Sequence, residues 1–237
     1  MSESLVLKTE VTDQICRLTL NRPEKLNAMN KALLQAISQS IRDAEGYDIL
    51  IIDAAGDSFT AGADLDEAQE DTEEAALYQE MTRAVRDFEG IVIGQLEGYV
   101  IGGGFEWTLS FDLRYAAEDT TFKMTESEVG LPISNASTLY LPLMIGAGRA
   151  RELVYTSREL PAEEAEEIGL INGMFSSSSL DEEVLDIAEE IVENKSSLAL
   201  RLNKKGFNQA FPVERVLAYE SALGDLSYEM DSEPLDW

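Results

Sequence analysis

Short apolar runs alternate with helical patterns through the first half of the chain. Residues 14–20 alternate apolar and polar side chains, a period of two that is typical of a half-buried strand. The runs at 48–56 and 91–96 are almost wholly apolar, which predicts strands buried on both faces. Two further strands are predicted at 113–117 and 121–124, on either side of a short polar turn.

Helical patterns lie between these strands and after them. Residues 31–45 carry an apolar stripe at helical spacing, and Asn30 is suited to be the N-cap. Residues 71–90 predict a helix with an acidic face, and from about Ala147 onward the pattern is mostly helical. After Ser196 only helices are predicted. This alternation of strands and helices indicates a layered α/β fold with crossover connections.

The charge balance is strongly acidic. The chain of 237 residues has 46 acidic and 18 basic residues, a net charge of −28, and 44% hydrophobic residues. The acids occur in short groups among periodic apolar positions, which favours a folded protein with an acidic surface over a disordered tract. Such self-repulsion is screened at molar salt, where the Debye length is about 3 Å, so we predict a halophilic protein. The absence of a basic stripe argues against nucleic-acid binding.

The absence of histidine and the scarcity of cysteine exclude several kinds of catalytic and metal-binding site. The chain has no histidine and one cysteine, Cys16. These counts exclude an internal disulfide, a Ser-His or Cys-His nucleophile and a histidine-ligated metal, so no metal site is expected. Acid–base chemistry therefore falls to carboxylates, lysine or tyrosine. No leader or long apolar span is visible, and we predict a cytoplasmic protein with no membrane insertion.

A glycine cluster follows the predicted strand at 91–96. Gly102, Gly103 and Gly104 precede an acid, Glu106, whose neighbours are mainly apolar, so this acid is expected to be at least partly buried. A helix that begins near these glycines would direct free N–H groups at a ligand. The glycines also suit simple close packing of a helix on a sheet, and the acid also suits a helix N-terminus at the surface.

A second small-residue loop follows the strand at 48–56. Residues 61–63 are Ala, Gly and Ala, and their backbone N–H groups can also face a ligand. Two such loops, each after a buried strand, can direct two N–H donors at one carbonyl oxygen, which is the geometry of an oxyanion hole. A second acid would come from Glu126 or Glu128, and either also suits an exposed position on so acidic a surface.

Four segments in order resemble the enoyl-CoA hydratase/isomerase family, the crotonase superfamily. They are LTLNRPEKLNAMN, SFTAGADLDE, GYVIGGGFEWTLSFDLRYAAEDTTFKMTESEVGL and GRARELVYTSRELPAEEAEEIGLIN, and the match as a whole covers roughly residues 14–175. The resemblance implies an α/β crotonase (ClpP/crotonase-like) fold of repeated ββα units. It also implies a core domain over 1–190 and a helical region over 191–237 that assembles trimers, often hexamers.

The resemblance also implies a site and a substrate. The substrate would be an acyl-CoA thioester, with no separate cofactor, and its thioester oxygen would accept hydrogen bonds from the N–H groups of Ala63 and Gly103. Glu106 and Glu126 would be the acid/base pair. The resemblance assigns contacts with the CoA moiety to Arg22, Lys25, Ala61, Asp64 and Leu65.

The activity implied is hydration of a 2-trans-enoyl-CoA, because the family's hydratases use both glutamates. The alternative is a Δ3,Δ2-enoyl-CoA isomerase, since isomerases of the family usually keep an acid only at the Glu126 position. Other acyl-CoA transformations and a non-catalytic scaffold are further alternatives. The chain departs from the family pattern at Glu97, Asp66 and Thr125, and residues 132–138 (PISNAST) have fewer glycines than usual. These departures are expected to affect acyl specificity and CoA contacts.

Overall fold

The computed structural model describes residues 4–66 and 72–230 of the chain. The strands are β1 (Val6–Glu10), β2 (Ile15–Leu20), β3 (Ile49–Ala54), β4 (Ile91–Leu96), β5 (Tyr99–Ile101), β6 (Leu113–Ala117), β7 (Thr121–Lys123), β8 (Leu160–Pro161) and β9 (Gly173–Phe175). The helices are α1 (Lys31–Arg42), α2 (Thr72–Asp87), α3 (Gly102–Thr108), α4 (Ser137–Ile145), α5 (Ala147–Thr156), α6 (Ala162–Glu167), α7 (Leu180–Asn194), α8 (Ser197–Ala210) and α9 (Val213–Met230).

Two sheets organise these elements. The larger has six strands in the order β1-β2-β3-β4-β6-β9, in which only β1 is antiparallel to its neighbour. The smaller has the order β5-β7-β8, with β5 parallel and β8 antiparallel to β7. The strands after β4 therefore divide between the sheets, and the glycine cluster follows directly from β5 of the smaller sheet.

Strand β3 shows why its sequence is continuously apolar. Leu50 and Ile52 belong to the main core cluster, which also includes apolar residues of α1 and α2. Ile49 and Ile51 point to the opposite face, where they pack with residues of α7. Because both faces are covered, every position in the strand removes apolar surface from water.

The strands and the first helix predicted from the pattern are confirmed. Helix α1 begins after Asn30, whose side chain accepts a hydrogen bond from the Leu33 N–H at 2.9 Å. Helix α2 ends at Asp87, three residues before the predicted end. The predicted start at Asp71 lies outside the described residues, as do residues 1–3 and 231–237 of the two predicted regions.

Several elements were not predicted. Strand β1 is an edge strand with one buried residue, Val6, so its sequence carries no alternation and its pairing with β2 forms it. Helix α4 contains Pro142 and is apolar on most sides, which conceals the helical period. Helix α7, which the pattern did predict, runs without interruption past residue 190, where the resemblance ends the core domain. Within the described parts of the chain, no helix is long and apolar enough to cross a membrane.

Candidate active site

The glycine cluster forms the turn from β5 into α3. Gly102 has a φ of 56°, a left-handed conformation that L residues rarely adopt. A Cβ atom at this position would lie 3.2 Å from Oε1 of Glu126, and one at Gly104 would lie 2.1 Å from Cγ2 of Thr60. At Gly103 a Cβ atom would lie 2.6 Å from Cε1 of the Tyr78 ring. All three glycines are therefore favoured by close approach, which supports the packing interpretation, whereas the site interpretation stays a prediction.

The second small-residue loop lies directly beside this turn. The Ile101 N–H donates to the Thr60 carbonyl at 3.1 Å, and a Cβ atom at Gly62 would lie 3.2 Å from the Ile101 carbonyl oxygen. The two loops are thus in backbone contact. This contact is compatible with the oxyanion hole predicted from the sequence.

Ala63 and Gly103 each present a half-buried backbone at this junction. Ala63 forms a parallel bridge with Met29 in which the bonds are made by the Gly62 carbonyl and the Asp64 N–H, so the N–H of Ala63 itself points away from Met29. The Gly103 N–H lies in the first turn of α3, where no preceding helical carbonyl can accept it. The assignment of these two N–H groups to an oxyanion hole stays a prediction.

Glu106 is buried more deeply than the sequence indicated, since it is only 1% exposed. Its Oε1 accepts a hydrogen bond from the Ser134 N–H at 2.6 Å, and its Oε2 accepts one from the Ser134 hydroxyl at 2.7 Å. Burial, together with repulsion from Glu126, raises the pKa of Glu106 well above its ordinary value, and the two Ser134 bonds oppose this rise. The carboxyl group is therefore held on both oxygens in a dry environment.

Glu126 lies in the 3-10 turn Glu126–Val129 and is 8% exposed. Its Oε2 is buried and has no hydrogen-bond partner among the residues that the structure describes. Burial raises the pKa of Glu126 to about 7. Glu128, the other candidate acid, is exposed and pairs with Lys123 at 2.9 Å. Of the two acids, Glu126 is therefore the one that faces Glu106.

The predicted CoA contacts divide into a buried pair and an exposed set. Arg22 is 7% exposed and its guanidinium pairs with Asp64, which is also buried. Lys25 is exposed and pairs with Asp66 at 2.9 Å, and Leu65 is 76% exposed. Ala61 is half-buried, and its N–H donates to the Leu26 carbonyl at 2.9 Å. Lys25 and Leu65 are thus the members of this set that a ligand can reach from solvent.

Sequence reasoning missed the residues that hold Glu106. Asn135 donates from Nδ2 to Glu106 Oε2 at 3.4 Å, and its Oδ1 accepts from the Thr82 hydroxyl at 3.1 Å. Asn135 and Ala136 have φ values of 58° and 62°, so the segment adopts left-handed backbone without glycine. The unusual sequence of residues 132–138, compared with the family pattern, indicated a different local backbone. It did not indicate that Ser134 and Asn135 contact Glu106.

No cluster of three or more His, Cys, Asp or Glu side chains that could hold a metal ion occurs within residues 4–66 and 72–230. The cysteine, Cys16, is buried in β2, as expected for a small apolar core residue.

Comparison with known proteins identifies the class. The family model for enoyl-CoA hydratase/isomerase matches residues 10–231, and the chain belongs to that family. A crotonyl-CoA hydratase of Syntrophomonas wolfei subsp. wolfei is 34% identical over 230 residues, which cover 92% of this chain and 87% of that protein. A short-chain-enoyl-CoA hydratase of Clostridium acetobutylicum is 31% identical over 223 residues, covering 90% and 85%.

Solved structures agree on the fold. The structure of an enoyl-CoA hydratase from Bacillus anthracis matches with a TM-score of 0.82 and 29% identity, over 95% of this chain and 90% of that one. The architecture is therefore the crotonase fold, as the sequence resemblance implied.

Proposed function

We propose that the protein is an enoyl-CoA hydratase that adds water across the double bond of a 2-trans-enoyl-CoA thioester. The observation that carries the proposal is the pair of buried carboxyl groups, Glu106 and Glu126, that repel each other beside two contacting small-residue loops. Family membership and the hydratase names of the relatives described above support it.

The geometry supports a simple division of the chemistry. The N–H groups of Ala63 and Gly103 would hold the thioester oxygen and stabilise the negative charge that develops on it when water adds to the β-carbon. One glutamate would accept a proton from the water and the other would deliver a proton to the α-carbon. The net change is the addition of one water molecule. The raised pKa of Glu126, about 7, suits this exchange, because a group that titrates near neutral pH can both accept and release a proton. The pKa of Glu106 is also raised well above its ordinary value.

The isomerase alternative is favoured by one specific observation. Both oxygens of Glu106 already accept hydrogen bonds, whereas Oε2 of Glu126 has no partner among the described residues. Migration of a double bond from the 3 to the 2 position requires one carboxyl group to remove and return a proton. Of the two glutamates, Glu126 is the one with a carboxyl oxygen that accepts no hydrogen bond from the described residues, so it suits that role.

Crotonyl-CoA distinguishes these functions when combined with single substitutions. The loss of its conjugated-enone absorbance would be followed in about 2 M KCl, where exposed charges are screened. For a hydratase, both Glu106→Gln and Glu126→Gln should lower kcat by about a hundredfold to ten-thousandfold. The matched control is Glu128→Gln, an exposed acid two residues from Glu126, which should retain activity.

The products complete this test. An isomerase would leave crotonyl-CoA unchanged, would convert a 3-enoyl-CoA into its 2-enoyl isomer, and would tolerate Glu106→Gln. A folded protein that binds CoA but transforms neither substrate would contradict both functions.

For CoA binding, we propose that Lys25 and Leu65 contact the ligand from the surface. Arg22 and Asp64, which form a buried ion pair, would instead fix the loop that carries Ala63. The expected result is that Lys25→Ala raises KM with little effect on kcat, because a phosphate contact contributes equally to ground and transition states. Arg22→Ala should lower stability, because it leaves Asp64 buried without its cation.

For assembly, we propose a homotrimer or a dimer of trimers formed through the C-terminal helices. Helices α8 and α9 expose large apolar side chains, namely Leu198, Leu202, Phe207, Tyr219 and Leu226. Such a surface is typical of contact between copies of a chain. Light scattering should give three or six times the chain mass of 26.2 kDa, and a monomer would contradict the proposal.

A further inference from the structure

One residue, Ser134, binds both oxygens of the Glu106 carboxyl group. Its backbone N–H and its hydroxyl donate to different oxygens, at 2.6 Å and 2.7 Å. We propose that Ser134 is a positioning residue that fixes the plane and orientation of the Glu106 carboxyl group, whereas Oε2 of Glu126 has no such partner among the described residues. This inference rests on the proposed function and names a residue that the site requires beyond the two glutamates.

A second donor comes from the next residue along the chain. Asn135 Nδ2 lies 3.4 Å from Oε2 of Glu106, the oxygen that also accepts from the Ser134 hydroxyl. The Asn135 amide is itself oriented, because its Oδ1 accepts from the Thr82 hydroxyl of α2 at 3.1 Å and both side chains are fully buried. Three donors from one short segment therefore define the position of a single carboxyl group.

The segment that carries these donors is itself fixed. The buried Glu220 of α9 accepts from the Ala136 N–H at 2.7 Å and from the Thr138 N–H at 2.9 Å. The donors of these bonds lie two and four residues after Ser134, and the bonds stabilise the left-handed backbone at Asn135 and Ala136. The backbone of Ser134 is therefore held in place independently of Glu106, and Ser134 orients the carboxyl group of Glu106.

Two titratable groups face Glu106 from the elements packed against it. Glu126 approaches from the 3-10 turn and Glu220 from α9, and both raise the pKa of Glu106 by repulsion. The bonds from Ser134 act in the opposite direction, because they stabilise the ionised form. Burial and repulsion raise the pKa of Glu106, and the Ser134 hydroxyl bond lowers it. Without that hydroxyl, the pKa of Glu106 should therefore rise further.

Substitution Ser134→Ala tests the inference with two measurements. The first is the titration of the Glu106 carboxyl carbon by NMR in protein labelled with 13C-glutamate, its signal identified as the one lost in Glu106→Gln. The second is the pH profile of kcat/KM with crotonyl-CoA. A hydrogen bond to a charged group contributes enough to move a pKa by about one unit. The Glu106 titration should therefore shift to higher pH by about that amount, and so should the limb of the pH profile that Glu106 sets, which is the acidic limb if Glu106 is the base and the basic limb if it is the acid.

The matched control is Ser137→Ala. Ser137 lies in the same segment and is fully buried, and its hydroxyl has no hydrogen-bond partner in the described part of the chain. Its removal should leave the Glu106 titration unchanged. Ser134→Gly is a second variant that also removes the hydroxyl and should reproduce the shift if the alanine variant folds poorly.

The two readouts separate this inference from the proposed function. A wild-type protein that does not hydrate crotonyl-CoA contradicts the proposed function, whereas the NMR titration still decides the role of Ser134. A Glu106 titration that is the same in wild type, Ser134→Ala and Ser134→Gly would overturn the inference. An equal shift in Ser137→Ala would also overturn it, because the effect would then come from the segment as a whole.

Discussion

Gly102 combines an unusual backbone conformation with close contact to the site. Its φ of 56° is costly for any residue with a side chain, and a Cβ atom would lie 3.0 Å from the Thr125 hydroxyl and 3.2 Å from Oε1 of Glu126. The geometry of the site therefore depends on the absence of one side chain. Glycine is used here for both conformational freedom and space.

We expect Gly102→Ala to lower the free energy of unfolding by about 1–2 kcal/mol and to reduce kcat, because the new methyl group strains the turn and displaces Glu126. The matched control is Gly206→Ala in helix α8, where a Cβ atom would meet nothing within 4 Å. That change should stabilise the protein by about 0.5–1 kcal/mol, because alanine favours helix. Urea unfolding measures both. Equal effects of the two substitutions would contradict the argument.

The pKa of Glu126 makes a second prediction at the scale of one residue. Burial raises this pKa from 4.5 to about 7, so the folded state keeps a proton that the unfolded state releases. The stability contributed by the neutral carboxyl group is complete below about pH 4.5 and is lost as the pH rises through about 7. Wild type should lose up to about 1 kcal/mol per pH unit in this window relative to Glu126→Gln.

Unfolding by urea at several pH values and one salt concentration measures this difference. Comparison with Glu126→Gln cancels the titration of the many surface acids, which both proteins share. A stability difference that stays constant from pH 5 to pH 8 would show that Glu126 titrates at its ordinary pKa in the folded protein.

At the scale of elements, helix α9 is joined to the site through one buried side chain. Glu220 is 2% exposed and accepts bonds from the Ala136 N–H, the Thr138 N–H and the Thr138 hydroxyl. Gln79 of α2 also donates to the Leu217 carbonyl of α9 at 3.0 Å. The last described helix therefore stabilises the segment that holds Glu106, and its role extends beyond any contact between subunits.

We expect Glu220→Gln to lower the free energy of unfolding by on the order of 2 kcal/mol, because its amide nitrogen would face a backbone N–H in place of an acceptor oxygen. The control on the same helix is Glu214→Gln, whose exposed side chain pairs with Arg83 at 3.1 Å. A surface pair contributes less than about 1 kcal/mol. Chemical denaturation of both variants, with kcat as a second readout, should separate them. Similar losses would place Glu220 outside the support of the site.

At the scale of the whole molecule, the net charge of −28 opposes both folding and the binding of an anionic CoA ester. The ion pairs described above, such as Lys25–Asp66 and Arg83–Glu214, are mostly exposed and offset little of this repulsion. The halophilic character inferred from this charge stays a prediction.

We expect KM for an acyl-CoA substrate to fall, and the unfolding temperature to rise, as KCl increases from about 0.1 M to about 2 M, because the Debye length shortens from about 10 Å to about 3 Å or less. Steady-state kinetics and thermal unfolding in the same buffers measure both. The control is a series of a neutral osmolyte at matched osmolality and constant low salt, which changes water activity without screening charge. A KM independent of salt in folded protein would contradict the prediction.

The sequence by itself determined the elements whose period or composition is local. Strands β2, β3 and β4 and helix α1 could be predicted because each buries a face defined by its own residues, and Asn30 caps its helix through a contact three residues away. The order of motifs also identified the family, since the spacing of the glycine turn and the two acids is a property of the chain.

Only the tertiary structure decided which side chains meet. Ser134 reaches Glu106 across 28 residues, and Glu220 reaches Ala136 across 84, so no local period could reveal either contact. The choice between Glu126 and Glu128 likewise depended on which acid the 3-10 turn directs inward. Burial and hydrogen bonding set the pKa of an acid, and both depend on residues that are distant in sequence and brought together by the fold.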